Sequence, residues 1–167
     1  MTFIETADTD VLIMVETLDH AFELKALLPD YEVVYGDTTD DRFDALNVRQ
    51  RFGDSFLAVD GKERSRLRTA FETGLLRKVI ATTVWKQGVD FRGLNALVRA
   101  DGGDSKINHG QIPGRLSRLH DGKDRGLLID FDDRFDAWAA RPSQQRFKFY
   151  EKMVWQFLNL QVTQPRS

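Results

Sequence analysis

The sequence predicts an α/β domain with a mostly parallel sheet and helices on both faces. Short apolar, β-branched runs recur along the chain, and amphipathic helical stretches separate them, the pattern of successive βα units. The chain has 167 residues, 41% of them hydrophobic, enough for one domain with a substantial core.

The elements follow in order. "VLIMV" (11–15) is short, apolar and β-branched, as expected of a strand buried on both faces. Thr17 can cap a helix in which Ala21, Leu24 and Leu28 share one face, and Pro29 stops it. "YEVVYG" (31–36) is a second strand closed by glycine. The polar stretch 37–58 predicts a short helix around 40–52 and a strand at 56–59. From Lys62, a stripe of Leu67, Ala70, Phe71 and Leu75 predicts a helix, followed by strands "KVIATT" (78–83) and "ALVRA" (96–100). "GLLIDF" (126–131) is the last strand. Beyond Pro142, the spacing of Phe147, Tyr150, Val154 and Phe157 predicts a long amphipathic helix. The domain is expected over 1–140, with 141–167 as a helical extension packed on it. In parallel sheets ligands bind outside the carboxyl ends of the strands, so the loops after 15, 36, 83 and 100 are the informative ones.

Composition narrows the function. No run of about 18 apolar residues exists to span a membrane, and the start "MTFIETADTD" lacks the features of a signal peptide. The absence of cysteine excludes disulfides, thiolate metal sites and cysteine nucleophiles. An intracellular, cytoplasmic location is expected, in the host cytoplasm if the chain is phage-encoded. The formal net charge of −2 announces no nucleic-acid partner globally. Locally, "GKERSRLR" (61–68) and "RPSQQRFKFYEK" (141–152) are basic, and each reads either as a phosphate contact or as a solvated helix face.

Two stretches carry chemistry. In "QIPGRLSRLH" (111–120) helical spacing puts Gln111, Arg115 and Arg118 on one stripe. Ile112, Leu116 and Leu119 form a second stripe, turned about 100° away. Guanidinium groups present a rigid, permanently charged fork of donors that matches phosphate oxygens. The same arginines could instead form surface ion pairs with Asp121 and Asp124. In "IATTVWKQGVDF" (80–91), Thr82 and Thr83 leave a strand end where hydroxyl and N–H groups can meet a phosphate. Gly88 permits a tight turn, and Asp90 can accept from a ribose hydroxyl or an arginine; a plain strand, loop and helix cap would account for the same letters.

Taken together, in this order and spacing, the two stretches resemble the second RecA-like domain of superfamily-2 helicases. "IATTVWKQGVDF" is similar to that family's motif V, and "QIPGRLSR" matches the motif VI pattern Q-x-x-G-R-x-x-R. "VLIMVETLDHAFEL" resembles motif IV with its helix, and "GKERSRLRTAFETG" the helix that precedes motif V. Residues 99–133 are most similar to phage branch-migration helicases of the UvsW type, which act in DNA recombination and repair.

The resemblance implies a RecA-like, three-layer fold over roughly residues 10–136. It also implies a motor half working with ATP and Mg²⁺ on DNA, branched or single-stranded. Arg118 would be the arginine finger, Arg115 a second phosphate or interdomain contact, and Gln111 a coupling residue. Gly88 and Asp90 would line the nucleotide, and Thr82 or Thr83 would hold a strand phosphate, with Lys86 and Trp85 on the nucleic-acid side. The 37–58 segment is longer than the family needs and reads as an insertion. A non-catalytic nucleic-acid-binding or regulatory module of the same fold is the alternative.

A P-loop, G-x-x-x-x-G-K-[ST], and an acidic Mg²⁺ motif are both missing: Gly61-Lys62 runs into Glu63, and Gly122-Lys123 into Asp124. The P-loop RecA-like domain is therefore expected as the partner, on another chain or on a missing segment. Met1 just before the first strand and the closing "VTQPRS" favour a separately encoded half, though a fragment of a longer protein would read the same. Asp130, Asp132 and Asp133 could hold a hard cation but more often cap turns. His20, His109 and His120 lack metal-ligand spacing, so no metal site is expected on this chain.

Overall fold

A computed structural model describes residues 9–53, 60–85, 93–102, 116, 126–133 and 137–153. The described strands are β1 (Val11–Val15), β2 (Glu32–Val34), β3 (Lys78–Ala81), β4 (Ala96–Ala100) and β5 (Leu127–Asp130). They form one sheet in the order β2-β3-β1-β4-β5, and every pairing is parallel. The helices with described ends are α1 (Leu18–Leu27), α2 (Asp40–Ala45), α3 (Val48–Phe52), α4 (Gly61–Glu72) and α5 (Ala137–Lys152).

Alternation along β1 builds three layers. Val11, Ile13 and Val15 point to one face, where they meet Leu18, Ala21 and Phe22 of α1, Phe43 of α2 and Val48 of α3. Leu12 and Met14 point to the other, against Leu67 and Phe71 of α4 and the helical residue Leu116. All of β1 is buried, as its unbroken apolar run predicts.

Local chemistry explains where helices start and stop. Thr17 Oγ1 accepts from His20 N–H at 3.2 Å, capping α1 as expected. Lys25 Nζ donates to the carbonyls of Pro29 and Tyr31 at 2.8 and 2.7 Å, closing the turn into β2. Asp60 Oδ1 accepts from Glu63 N–H at 2.7 Å, capping α4.

Three expectations need correction. The helix foreseen over 40–52 is two helices, broken where Asn47 takes a left-handed φ of 51°. Helix α4 ends at Glu72, and the left-handed Gly74 turns the chain out of the stripe. Leu75 therefore stands 86% exposed, while Leu76 packs on the core instead. Pro142 lies within α5, in its second turn, rather than ahead of the helix. So α5 runs unbroken across residues 140 and 141, where the sequence places the start of the extension. Within 37–58, α2 and α3 are integral to the core: Phe43 packs edge-on against both Phe22 and Tyr35. The strand expected at 56–59 lies outside the described residues.

Candidate nucleotide and nucleic-acid site

A fully parallel sheet brings all strand carboxyl ends to one edge. The connection leaving β1 runs toward β2 and that leaving β4 toward β5, so the two diverge at the centre of the sheet. Diverging connections open a crevice at a parallel sheet's carboxyl edge. Thr17 follows β1 at this edge, and Asp101 and Gly102 follow β4 directly.

Thr82 and Thr83 follow β3 onto this same edge. The Thr82 N–H is taken by Val34 C=O at 3.0 Å, and its side chain is buried. Thr83 is exposed and opens a 3₁₀ turn, Thr83–Trp85. Trp85 is buried 5.6 Å from the Phe71 ring, so it belongs to the core and not to a nucleic-acid surface. Lys86, Gly88, Asp90, Gln111, Arg115 and Arg118 lie outside the described residues, as do Ile112 and Leu119. Leu116, the middle member of the expected apolar stripe, is buried in the core. Gly126 abuts it: a Cβ there would stand 2.7 Å from the Leu116 carbonyl oxygen.

The sequence reading missed the polar cluster beside these loops. Arg99 follows Leu97 on the α4 side of β4 and is 1% exposed. Its Nε and Nη2 donate to the two carboxylate oxygens of buried Asp101, both at 3.1 Å, and Nη1 donates to Tyr150 Oη at 3.1 Å. Tyr150 donates in turn to Asp130 Oδ2 at 2.7 Å. Arg146, also 1% exposed, donates from Nε to Asp130 Oδ2 at 2.9 Å. Its Nη1 and Nη2 donate to the carbonyls of Gly102 and Phe131, each at 3.2 Å. The cluster thus ties α5 to the carboxyl ends of β4 and β5.

Burial and the Asp130 carboxylate hold the Tyr150 phenol neutral well above its usual range. Burial opposes charge on Arg99, but Asp101 overrides it and keeps the guanidinium more firmly protonated than usual. Arg146 is thus consumed internally and does not serve the basic stretch 141–152. Asp130 is likewise engaged, and Asp132 Oδ1 accepts from Ser143 Oγ at 3.1 Å. Among the described residues no acidic or histidine group is arranged to hold a metal ion. The sequence did carry a signal for the cluster. An arginine in "ALVRA" at a core-facing strand position requires a buried carboxylate, and Asp101 lies two residues on.

No family model matches the chain. A helicase domain from Pyrococcus furiosus, Hef, superposes with a TM-score of 0.50 at 16% identity, covering 82% of this chain and 25% of that one. The fold is RecA-like. The C-terminal domain of the DEAD-box protein Dbp5 aligns over 87% of both chains at 18% identity and a TM-score of 0.46. In sequence, the chain is 29% identical over 90 residues to the ATP-dependent RNA helicase FAL1 of Candida glabrata. That match covers 54% of this chain and only 22% of the relative's length. No described helix is long and apolar enough to cross a membrane.

Proposed function

We propose that this RecA-like domain is the C-terminal motor half of an ATP-dependent superfamily-2 helicase or translocase. One observation carries the reading: the Q-x-x-G-R-x-x-R run, Gln111 to Arg118, falls in sequence between β4 and β5 of a parallel sheet, on the connection that diverges from the one leaving β1. Burial of Leu116 supports it, because helical spacing sets Arg115 and Arg118 off that apolar stripe.

In this reading Arg118 donates to the terminal phosphate of ATP held by a P-loop domain, and Arg115 contacts a second phosphate or the domain interface. Gln111 couples the nucleotide to closure, and Gly88 and Asp90 border the nucleotide. Thr83 and Lys86 meet the nucleic-acid backbone, with Thr82 supporting the turn beneath them. The nucleotide with Mg²⁺ supplies the phosphoryl group, and this chain supplies positive charge where the transition state becomes more negative. The sequence resemblance favours DNA; the similarity to a protein named an RNA helicase favours RNA, so the assay carries both.

The test is a pull-down for a P-loop RecA-like partner, followed by ATPase assays with branched DNA, single-stranded DNA and RNA. The chain alone should be inert and the pair active. Arg118→Ala should lower kcat by roughly 10³-fold or more. Hydrolysis by the pure isolated chain, or an unchanged kcat in the variant, would overturn the assignment.

A further inference from the structure

The buried cluster fixes the rotation of α5 about its axis. Ser143, Arg146 and Tyr150 face inward and are buried. At 100° per residue, Arg141, Lys148 and Lys152 fall within about 40° of one another and roughly opposite that inward face. All three are exposed, and among the described residues no carboxylate pairs with any of them. Among the described residues, five other surface arginines are neutralised, Arg49 by Asp40, Arg51 by Glu23, Arg64 by Asp37, Arg66 by Glu63 and Arg68 by Glu72, whereas Arg42 is an isolated exposed cation. Gln144 and Gln145 flank the stripe with uncharged amides, and the exposed Glu151 on the Gln144 side leaves this face with a net positive charge. The anchoring contacts lie at the carboxyl ends of β4 and β5, so the stripe stands on a helix fastened to the working edge of the sheet.

We infer that Arg141, Lys148 and Lys152 form an accessory contact for a nucleic-acid backbone, outside the motor's own motifs. The inference rests on the nucleic-acid side of the proposed function. Three cations over twelve residues, Arg141 to Lys152, span about 16 Å of helix, comparable to roughly five phosphates of one strand at about 3.4 Å each. Lysine and arginine suit this task because their contacts with phosphate release condensed counterions and need no base sequence. A rigid helix lowers the ordering cost, since only the side chains must be immobilised on binding.

The full chain is titrated onto labelled single-stranded and duplex oligonucleotides between about 50 and 200 mM salt, followed by fluorescence anisotropy. The variant Arg141→Gln/Lys148→Gln/Lys152→Gln should bind at least about tenfold more weakly at low salt. Its slope of log affinity against log salt should be shallower by about 2–3. Arg49→Gln/Arg51→Gln/Arg68→Gln removes the same charge from paired sites and should change neither; circular dichroism checks that both variants fold.

Equal losses in the two variants would reduce the effect to net charge and overturn the stripe. So would unchanged binding in the first variant, no oligonucleotide binding by the wild type, or binding to polyglutamate alone. Stripe-dependent binding without any ATPase stimulation of a P-loop partner would retire the motor reading and keep the stripe. Normal stimulation with stripe-independent binding would do the reverse.

Discussion

Arg99 and Arg146 each place a permanent charge where water does not reach, and each survives there because a carboxylate and further acceptors meet it. Removing one partner strands the other. Asp101→Asn and Arg146→Met should each cost about 3–5 kcal/mol in urea unfolding, the range for breaking a buried ion pair. Tyr150 gives the cluster a pH signature. Its folded pKa is raised, so its stabilisation is complete below the ordinary phenol value of about 10 and is lost as pH rises through the folded value. Unfolding free energy should therefore fall from about pH 9.5 to 11, less steeply in Tyr150→Phe. Parallel declines in the two proteins would contradict the neutral, buried phenol. Asp10 behaves as the opposite kind of carboxylate. Burial raises its pKa despite Arg77 3.3 Å away, so it detracts from stability at neutral pH and does so less as acid protonates it.

At the level of elements, strands were legible because their apolar runs are short, β-branched and bounded by turn residues. Helix boundaries were less so. The end of α4 depends on Gly74 taking φ 74°, a choice that the periodic Leu75 concealed. The break between α2 and α3 rests on Asn47, whose left-handed conformation a β-branched residue would resist; Asn47→Val should cost about 1–2 kcal/mol by thermal unfolding, and Asn47→Gly little. Pro142 reads as a boundary in the sequence because proline removes one helical hydrogen bond, yet the contacts of Ser143, Arg146 and Tyr150 hold α5 together around it. The junction of Gly126 with Leu116 gives a sharper test. A methyl there meets backbone as well as side chain, so Gly126→Ala should destabilise the fold by about 1–3 kcal/mol. A neutral substitution would mean that this packing is looser than the distances imply.

Taken whole, the sheet explains why the candidate site was legible in part. The residue types for phosphate chemistry announce themselves by spacing, and a parallel sheet sends its loops to one edge. The buried cluster was hidden because its members are distant in sequence, from Arg99 to Tyr150, and join only when α5 folds back on β4 and β5. The same architecture governs how the molecule is made. Val11, at the start of the central strand, pairs with Lys78 on one side and Ala96 on the other. During synthesis at about 5–20 residues per second, a strand waiting for a partner roughly 85 residues downstream stays unsatisfied on the order of ten seconds. Nascent chains ending before β4 should be protease-sensitive, and longer ones resistant. The most apolar strand of the sheet is translated before both of its neighbours and must wait for them, which should expose the nascent chain to chaperone capture.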